Sequence, residues 1–181
     1  MVINTQGRYT RTAKVLHWLV FALLVAQYAI GWTMPHIGRN TPVTTLISLH
    51  FSIGVLILGV IIVRLIWRVI HGEPASEAGV PSWQVNSARV VHWLLYLLLL
   101  VVPLLGWLNA SYRGMPLTLF GLVHVPELVG DHAAGWGWTG DIHMLVAEYA
   151  ILPLVGLHVA SALYHYFIRH DRVLQRMLPS V

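Results

Sequence analysis

Residues 46–69 read LISLHFSIGVLILGVIIVRLIWRV, and this stretch decides the fold. Its only ionisable side chains are His50 near one end and Arg64 and Arg68 near the other. A bilayer core is about 30 Å thick, and a helix that crosses it needs about 20 mostly apolar residues. Working outward, residues 15–34, 90–109 and 142–168 meet the same requirement. The expected fold is all-α: an integral membrane four-helix bundle forming a single domain over residues 1–181. Residues 15–34 do not read as a cleavable signal peptide. Their apolar run is too long, and Gly31-Trp32-Thr33-Met34 offers no small-residue cleavage site.

Composition agrees. The chain is 57% hydrophobic and 10% charged, with a mean hydropathy of +0.69, whereas soluble domains carry about 25% charged residues. An ordinary cytosolic globule and a disordered chain are both excluded. Cysteine is absent, which removes disulfides, iron–sulfur clusters, thiolate zinc sites and thioether-linked haem. Histidine occurs 11 times, as often as Lys and Arg together.

The basic residues at the span ends predict the orientation. Arg8, Arg11, Lys14, Arg64, Arg68, Arg89, Arg169, Arg172 and Arg176 fall on one side, against Arg39 and Arg113 on the other. Both termini are therefore expected to face the cytoplasm, with the protein in the bacterial inner membrane. Topology accounts for the net charge of +4, and no basic run suggests a nucleic-acid partner. The inner connection, residues 71–88, is rich in Gly, Pro and Ser and reads as a linker. The outer one, residues 110–141, is long enough to be functional or packed as a cap. Within it, residues 117–123 are apolar, too short to span, and suit the membrane interface.

The chain carries an internal echo. Ala13-Lys14-Val15-Leu16-His17-Trp18-Leu19 is matched by Ala88-Arg89-Val90-Val91-His92-Trp93-Leu94, and Gly31-Trp32 by Gly106-Trp107 at the same offset. Each half continues into a second span that opens on a histidine, His50 or His143. A parallel repeat of two hairpins would place these features at matching depths; recurrence of basic and aromatic residues at membrane interfaces would produce the same echo more plainly.

Ionisable groups inside spans are costly and mark functional interiors. His17, His50, His92, His143 and His158 lie inside or at the lip of a span, and His165 follows near the inner end of the fourth. His143 and His158 are fifteen residues apart on one helix, about 22 Å along its axis and about 60° around it. One helix thus offers an imidazole near each face, opposite His50 on the outer side and His17 on the inner side. Two neutral imidazoles from facing helices are what a bis-histidine haem iron needs. Depth matches well for His50 with His143 and more loosely for His17 with His158, improving if the first span begins near Thr10. His92 competes for the inner site, and spacing alone leaves that choice open. Arg64, Arg68 and Arg89 are positioned to pair with haem propionates, although topology alone explains them. Glu148, a carboxylate within a span, is a proton-relay candidate.

These residues resemble the bacterial cytochrome b-561 family, related to hydrogenase-type cytochrome b subunits. The resemblance runs from about residue 9 to residue 179. It is carried by Arg11 with His17-Trp18, Leu49-His50 with Arg64, His92, Tyr112-Arg113-Gly114, Phe120-Gly121-Leu122, His143, Leu157-His158, His165 and Asp171-Arg172-Val173-Leu174-Gln175-Arg176-Met177-Leu178-Pro179. It implies two non-covalent haems b, the inner iron held by His17 and His158 and the outer by His50 and His143, with His92 a neighbour of the haem. It also implies electron transfer between an outer-face donor and membrane quinone such as ubiquinone, in one family member as a superoxide oxidase. Arg39 and Arg113 would then attract an anionic donor, and His165 would lie at a quinone pocket or beside a haem.

One interval departs from the family pattern: His143 to His158 is one residue longer than the fourteen the resemblance implies. Pro153 lies between them and interrupts helical hydrogen bonding. A wide turn or π-bulge is therefore expected over residues 149–153, restoring the inward facing of His158. Two other functions compete. A membrane-anchor cytochrome b subunit of a dehydrogenase or hydrogenase shares this plan. A metal or small-solute transporter predicts no chromophore, and four helices are few for an alternating-access carrier.

Overall fold

A computed structural model describes residues 8–38 and 41–178; Arg39 lies outside the described residues. Among the described residues, four helices are long and apolar enough to cross a membrane. They are α1 (Arg11–Thr33), α2 (Thr45–His71), α3 (Ser82–Tyr112) and a composite fourth span, Thr139–Phe167. The fourth is built from α4 (Thr139–Val146), a π-helical turn (Ala147–Ile151) and α5 (Leu152–Phe167). The chain runs up and down, so the start of α1 and the close of the fourth span meet at one end of the bundle, the terminal end. There the Trp18 indole N–H donates to the Met177 carbonyl over 3.0 Å, tying α1 to the tail.

Local chemistry sets the boundaries. The Thr10 hydroxyl accepts from the Ala13 N–H at 3.2 Å, so α1 starts at Arg11, ahead of its apolar run. Thr44 caps α2 in the same way through the Ile47 N–H. Gly72 closes α2 at φ 68°, a left-handed conformation that glycine adopts without steric penalty. Helix α3 starts at Ser82, directly after Pro81, so the linker expected over 71–88 shrinks to 72–81. Hydropathy marks the part of a helix inside the bilayer core, and the polar turns of α3 run on beyond it.

The bundle is apolar inside and out. Val20, Ile57, Ile61, Tyr96, Leu99, Val102 and Ile151 form the buried core, while Val25, Val63, Ile66 and Leu97 are more than half exposed, as suits a chain whose solvent is lipid. At the opposite end, residues 117–123 form most of a small hairpin. Its strands β1 (Thr118–Leu119) and β2 (Val123–His124) pair antiparallel around Phe120 and Gly121, both at positive φ. This end is therefore capped. Met115, Leu117 and Val125 pack on Ile47, Phe51 and Ala110, and the fully buried Ser52 hydroxyl donates to the Thr118 carbonyl and accepts from the Phe120 N–H.

The two hairpins, α1–α2 and α3 with the fourth span, meet closely only along α2 and α3. Among the described residues, no Cα of α1 or α2 comes within 8 Å of a Cα in the fourth span. Side chains bridge that separation, and the histidines are among them.

Candidate functional site

Toward the capped end, the His50 and His143 rings face each other with centroids 6.0 Å apart. Each crosses a glycine of its own hairpin. A methyl group on Gly31 would sit 3.7 Å from the His50 ring, and one on Gly106 only 2.9 Å from the His143 ring. Gly106 is thus a notch for the His143 imidazole, whereas the echoed Gly31 stands at ordinary contact distance from His50. His143 is also fixed in tautomer: its Nδ1–H donates to the Val102 carbonyl at 2.8 Å, leaving Nε2 free to bond a metal.

Toward the terminal end, the His17 and His158 rings lie 6.0 Å apart, and His92 lies 5.2 Å from His158. His158 faces inward because of the π turn. That turn occupies Ala147–Ile151, two residues ahead of the expected 149–153. Pro153, at the start of α5, has no N–H and its ring crowds the carbonyl one turn back; the wider turn relieves both problems and absorbs the extra residue. The Ala147 carbonyl accepts from the Leu152 N–H within the turn and from the Tyr28 hydroxyl of α1 at 2.6 Å.

The remaining candidates separate. The Arg64 guanidinium donates to the Ala13 carbonyl at 3.0 Å and lies 5.9 Å from the Tyr96 ring centre. Arg68 is paired with Glu73 and lies over Trp93 and Tyr96. Arg89 is exposed and reaches Asn86 on its own helix. Glu148 is half-buried within the π turn. Arg113 donates to Asn109 and to the Gly38 carbonyl, and with Thr41, Met115 and His132 it lines a pocket of about 290 Å³ at the capped end.

His165 is buried at the close of α5, its Nδ1 2.6 Å from an Asp171 carboxylate oxygen. Arg169 contacts the same oxygen and the Val173 N–H donates to the other. Burial works to raise the Asp171 pKa, but the hydrogen bonds from His165 and Val173, the His165 charge and Arg169 outweigh it, so the carboxyl titrates below its ordinary range. Sequence reasoning missed this pairing, and it missed Gln27, whose side-chain amide lies against His50.

The residues fit a haem. Two metal–nitrogen bonds of about 2 Å each would span facing imidazoles at these ring separations, the backbones stand apart, and the Gly106 notch seats His143. Among the described residues no three His, Asp or Glu side chains are grouped as a bare metal ion would need; paired imidazoles suit an iron whose other ligands come from a porphyrin.

A family model described as prokaryotic cytochrome b561 matches residues 8–180. The chain belongs to that family. This b561-family chain is similar to cytochrome b561 homolog 2 of Escherichia coli strain K12, 31% identical over 97% of this chain and 93% of that protein. It is also similar to cytochrome b562 of Cereibacter sphaeroides, 31% identical over 94% of each chain. The probable superoxide oxidase CybB of Yersinia pestis is 28% identical over 91% of this chain and 92% of its own. Family membership and four apolar spans make this a bacterial multi-pass membrane protein of the b-type haem class, engaged in electron transport.

Proposed function

We propose that the chain holds two haems b, one between His17 and His158 and one between His50 and His143, and passes electrons from an outer-face donor to membrane quinone. The observation that carries this reading is the pair of facing imidazoles at 6.0 Å toward each end of the bundle. Haem iron, when bound, supplies one-electron oxidation and reduction. The protein orients the ligands, with Val102 presenting His143 through its Nδ1–H, and surrounds them with lipid-facing helices that exclude water.

The arginine distribution supports a terminal end facing the cytoplasm, and hence the inner membrane of the cell. The similarity to a probable superoxide oxidase supports superoxide as donor. Two superoxide ions would give one electron each and leave as dioxygen; one quinone would take both electrons and two protons to become quinol. Arg113 beside its pocket is placed to draw in an anion. In this reading His165, hydrogen-bonded to Asp171 at the terminal end, would border the quinone, and Glu148, within the π turn, would relay protons.

The test is the absorption spectrum and haem content of the purified protein. Two haems per chain are expected. His50→Ala or His143→Ala should each remove only the outer haem, His17→Ala or His158→Ala only the inner, and His92→Ala neither. One haem per chain, or loss of the inner haem in His92→Ala with retention in His17→Ala, would overturn the assignment. Failure of superoxide to drive quinone reduction by the loaded protein would overturn the donor and favour the dehydrogenase or hydrogenase subunit reading.

A further inference from the structure

The repeat places Gln27 where the second hairpin has Val102, one helical turn ahead of Gly31 and Gly106 respectively. At that position the second hairpin uses its backbone, with the Val102 carbonyl accepting from His143. The first hairpin does something different. His50 Nδ1 is buried without a hydrogen-bond partner among the described residues. The Gln27 side chain instead crosses from α1 to α2, where its Nε2 donates to the His50 carbonyl at 3.1 Å and lies 3.3 Å from His50 Nε2. Gly54 of α2 lies beside the amide, where a methyl group would meet its nitrogen at 3.5 Å, an ordinary contact. The Gln27 Oε1 is buried and also unpartnered among the described residues, so bonding between helices does not account for the whole amide.

We propose that Gln27 is a positioning residue for His50, and that its amide makes the outer site's reduction potential differ from what an apolar residue there would give. This rests on His50 and His143 being the outer haem ligands. The donation to the His50 carbonyl fixes which end of the amide faces the ring: the NH₂ end, which carries partial positive charge. Positive charge beside the nitrogen that would bond the iron disfavours the oxidised state, which bears one more charge. Groups just beyond the ligands are a recognised control on haem potential. The two outer ligands are therefore held unequally, His143 by a carbonyl that accepts its proton and His50 by an amide that presents a donor.

The experiment is a redox titration of the haem-loaded full chain, followed by absorbance, in wild type, Gln27→Met and Gln27→Glu. Methionine keeps the length of the side chain and removes the amide; glutamate keeps the shape and replaces the donor end. The outer component is identified as the one absent from His50→Ala. In Gln27→Met the outer component should move toward the oxidised state by about tenfold, which is 59 mV for one electron, with the inner component in place. Gln27→Glu should move the same component in the same direction, and it decides the question if the methionine variant fails to load. An outer component at its wild-type potential, in a variant that binds both haems, overturns the proposal and leaves the ligand assignment standing. One haem per wild-type chain overturns the two-haem reading and this proposal with it.

Discussion

Alanine at Gly106 would put a methyl carbon 2.9 Å from His143 Cε1 and 3.1 Å from its Nδ1, inside the normal contact distance. The ring cannot simply swing away, because its Nδ1–H is held by the Val102 carbonyl at 2.8 Å. Overpacking of this kind costs about 1–3 kcal/mol, and giving up the hydrogen bond adds about 1 kcal/mol. Replacing a helical glycine by alanine returns about 1 kcal/mol. The net penalty of about 1–3 kcal/mol falls on the outer site, where about 1.4 kcal/mol is a factor of ten. Haem retention there should drop roughly tenfold to a hundredfold. Gly31→Ala is the matched control. Its methyl group would lie 3.7 Å from the His50 ring, an ordinary contact, so both haems should stay. The assay is transfer of haem to excess apo-globin acceptor, with the spectrum separating the two components. Wild-type retention in Gly106→Ala, or greater loss in Gly31→Ala, would refute the idea that Gly106 is a notch and Gly31 is not.

The π turn and the closing segment yield two further tests. Deleting Ala150 together with Pro153→Ala should let the fourth span run as a regular helix and keep both haems, whereas inserting an alanine after Ala150 should turn His158 by about 100° and remove the inner haem alone; haem content per chain reads both. Because the folded pKa of Asp171 lies below its ordinary 3.8, its carboxylate stabilises the fold above that value, and the benefit is lost as pH falls through the folded pKa. The melting temperature of Asp171→Asn should therefore lie below wild type at about pH 5, and the margin should close as pH falls below 3.8; a gap that widens in acid would contradict this.

The spans could be read because an apolar run long enough to cross lipid is poorly tolerated in water, and the histidines stood out against it. The extra residue before His158 likewise had a physical remedy, and the π turn supplies it, displaced by two positions because the relief is needed ahead of Pro153. Elsewhere the pattern was silent. The polar start of α3 at Ser82 lies outside the bilayer, where hydropathy no longer reports helix. The hairpin at Phe120-Gly121 has strands of two residues each, too short to show alternation. Gln27 resembles any polar residue in a span until the fold brings it onto His50. Asp171 meets His165 only because the chain turns back after α5, with the Asp171 N–H bonding the His165 carbonyl.

The separation of α1 and α2 from the fourth span bears on assembly. Those faces are joined by side chains alone, through the core that Val20, Ile57 and Ile61 share with Ile151 and the Tyr28–Ala147 bond, so whatever the histidines grip adds directly to their cohesion. Binding and consolidation are then one equilibrium, and porphyrin supply in the cell sets how much of this polypeptide survives proteolysis as well as how much of it is coloured.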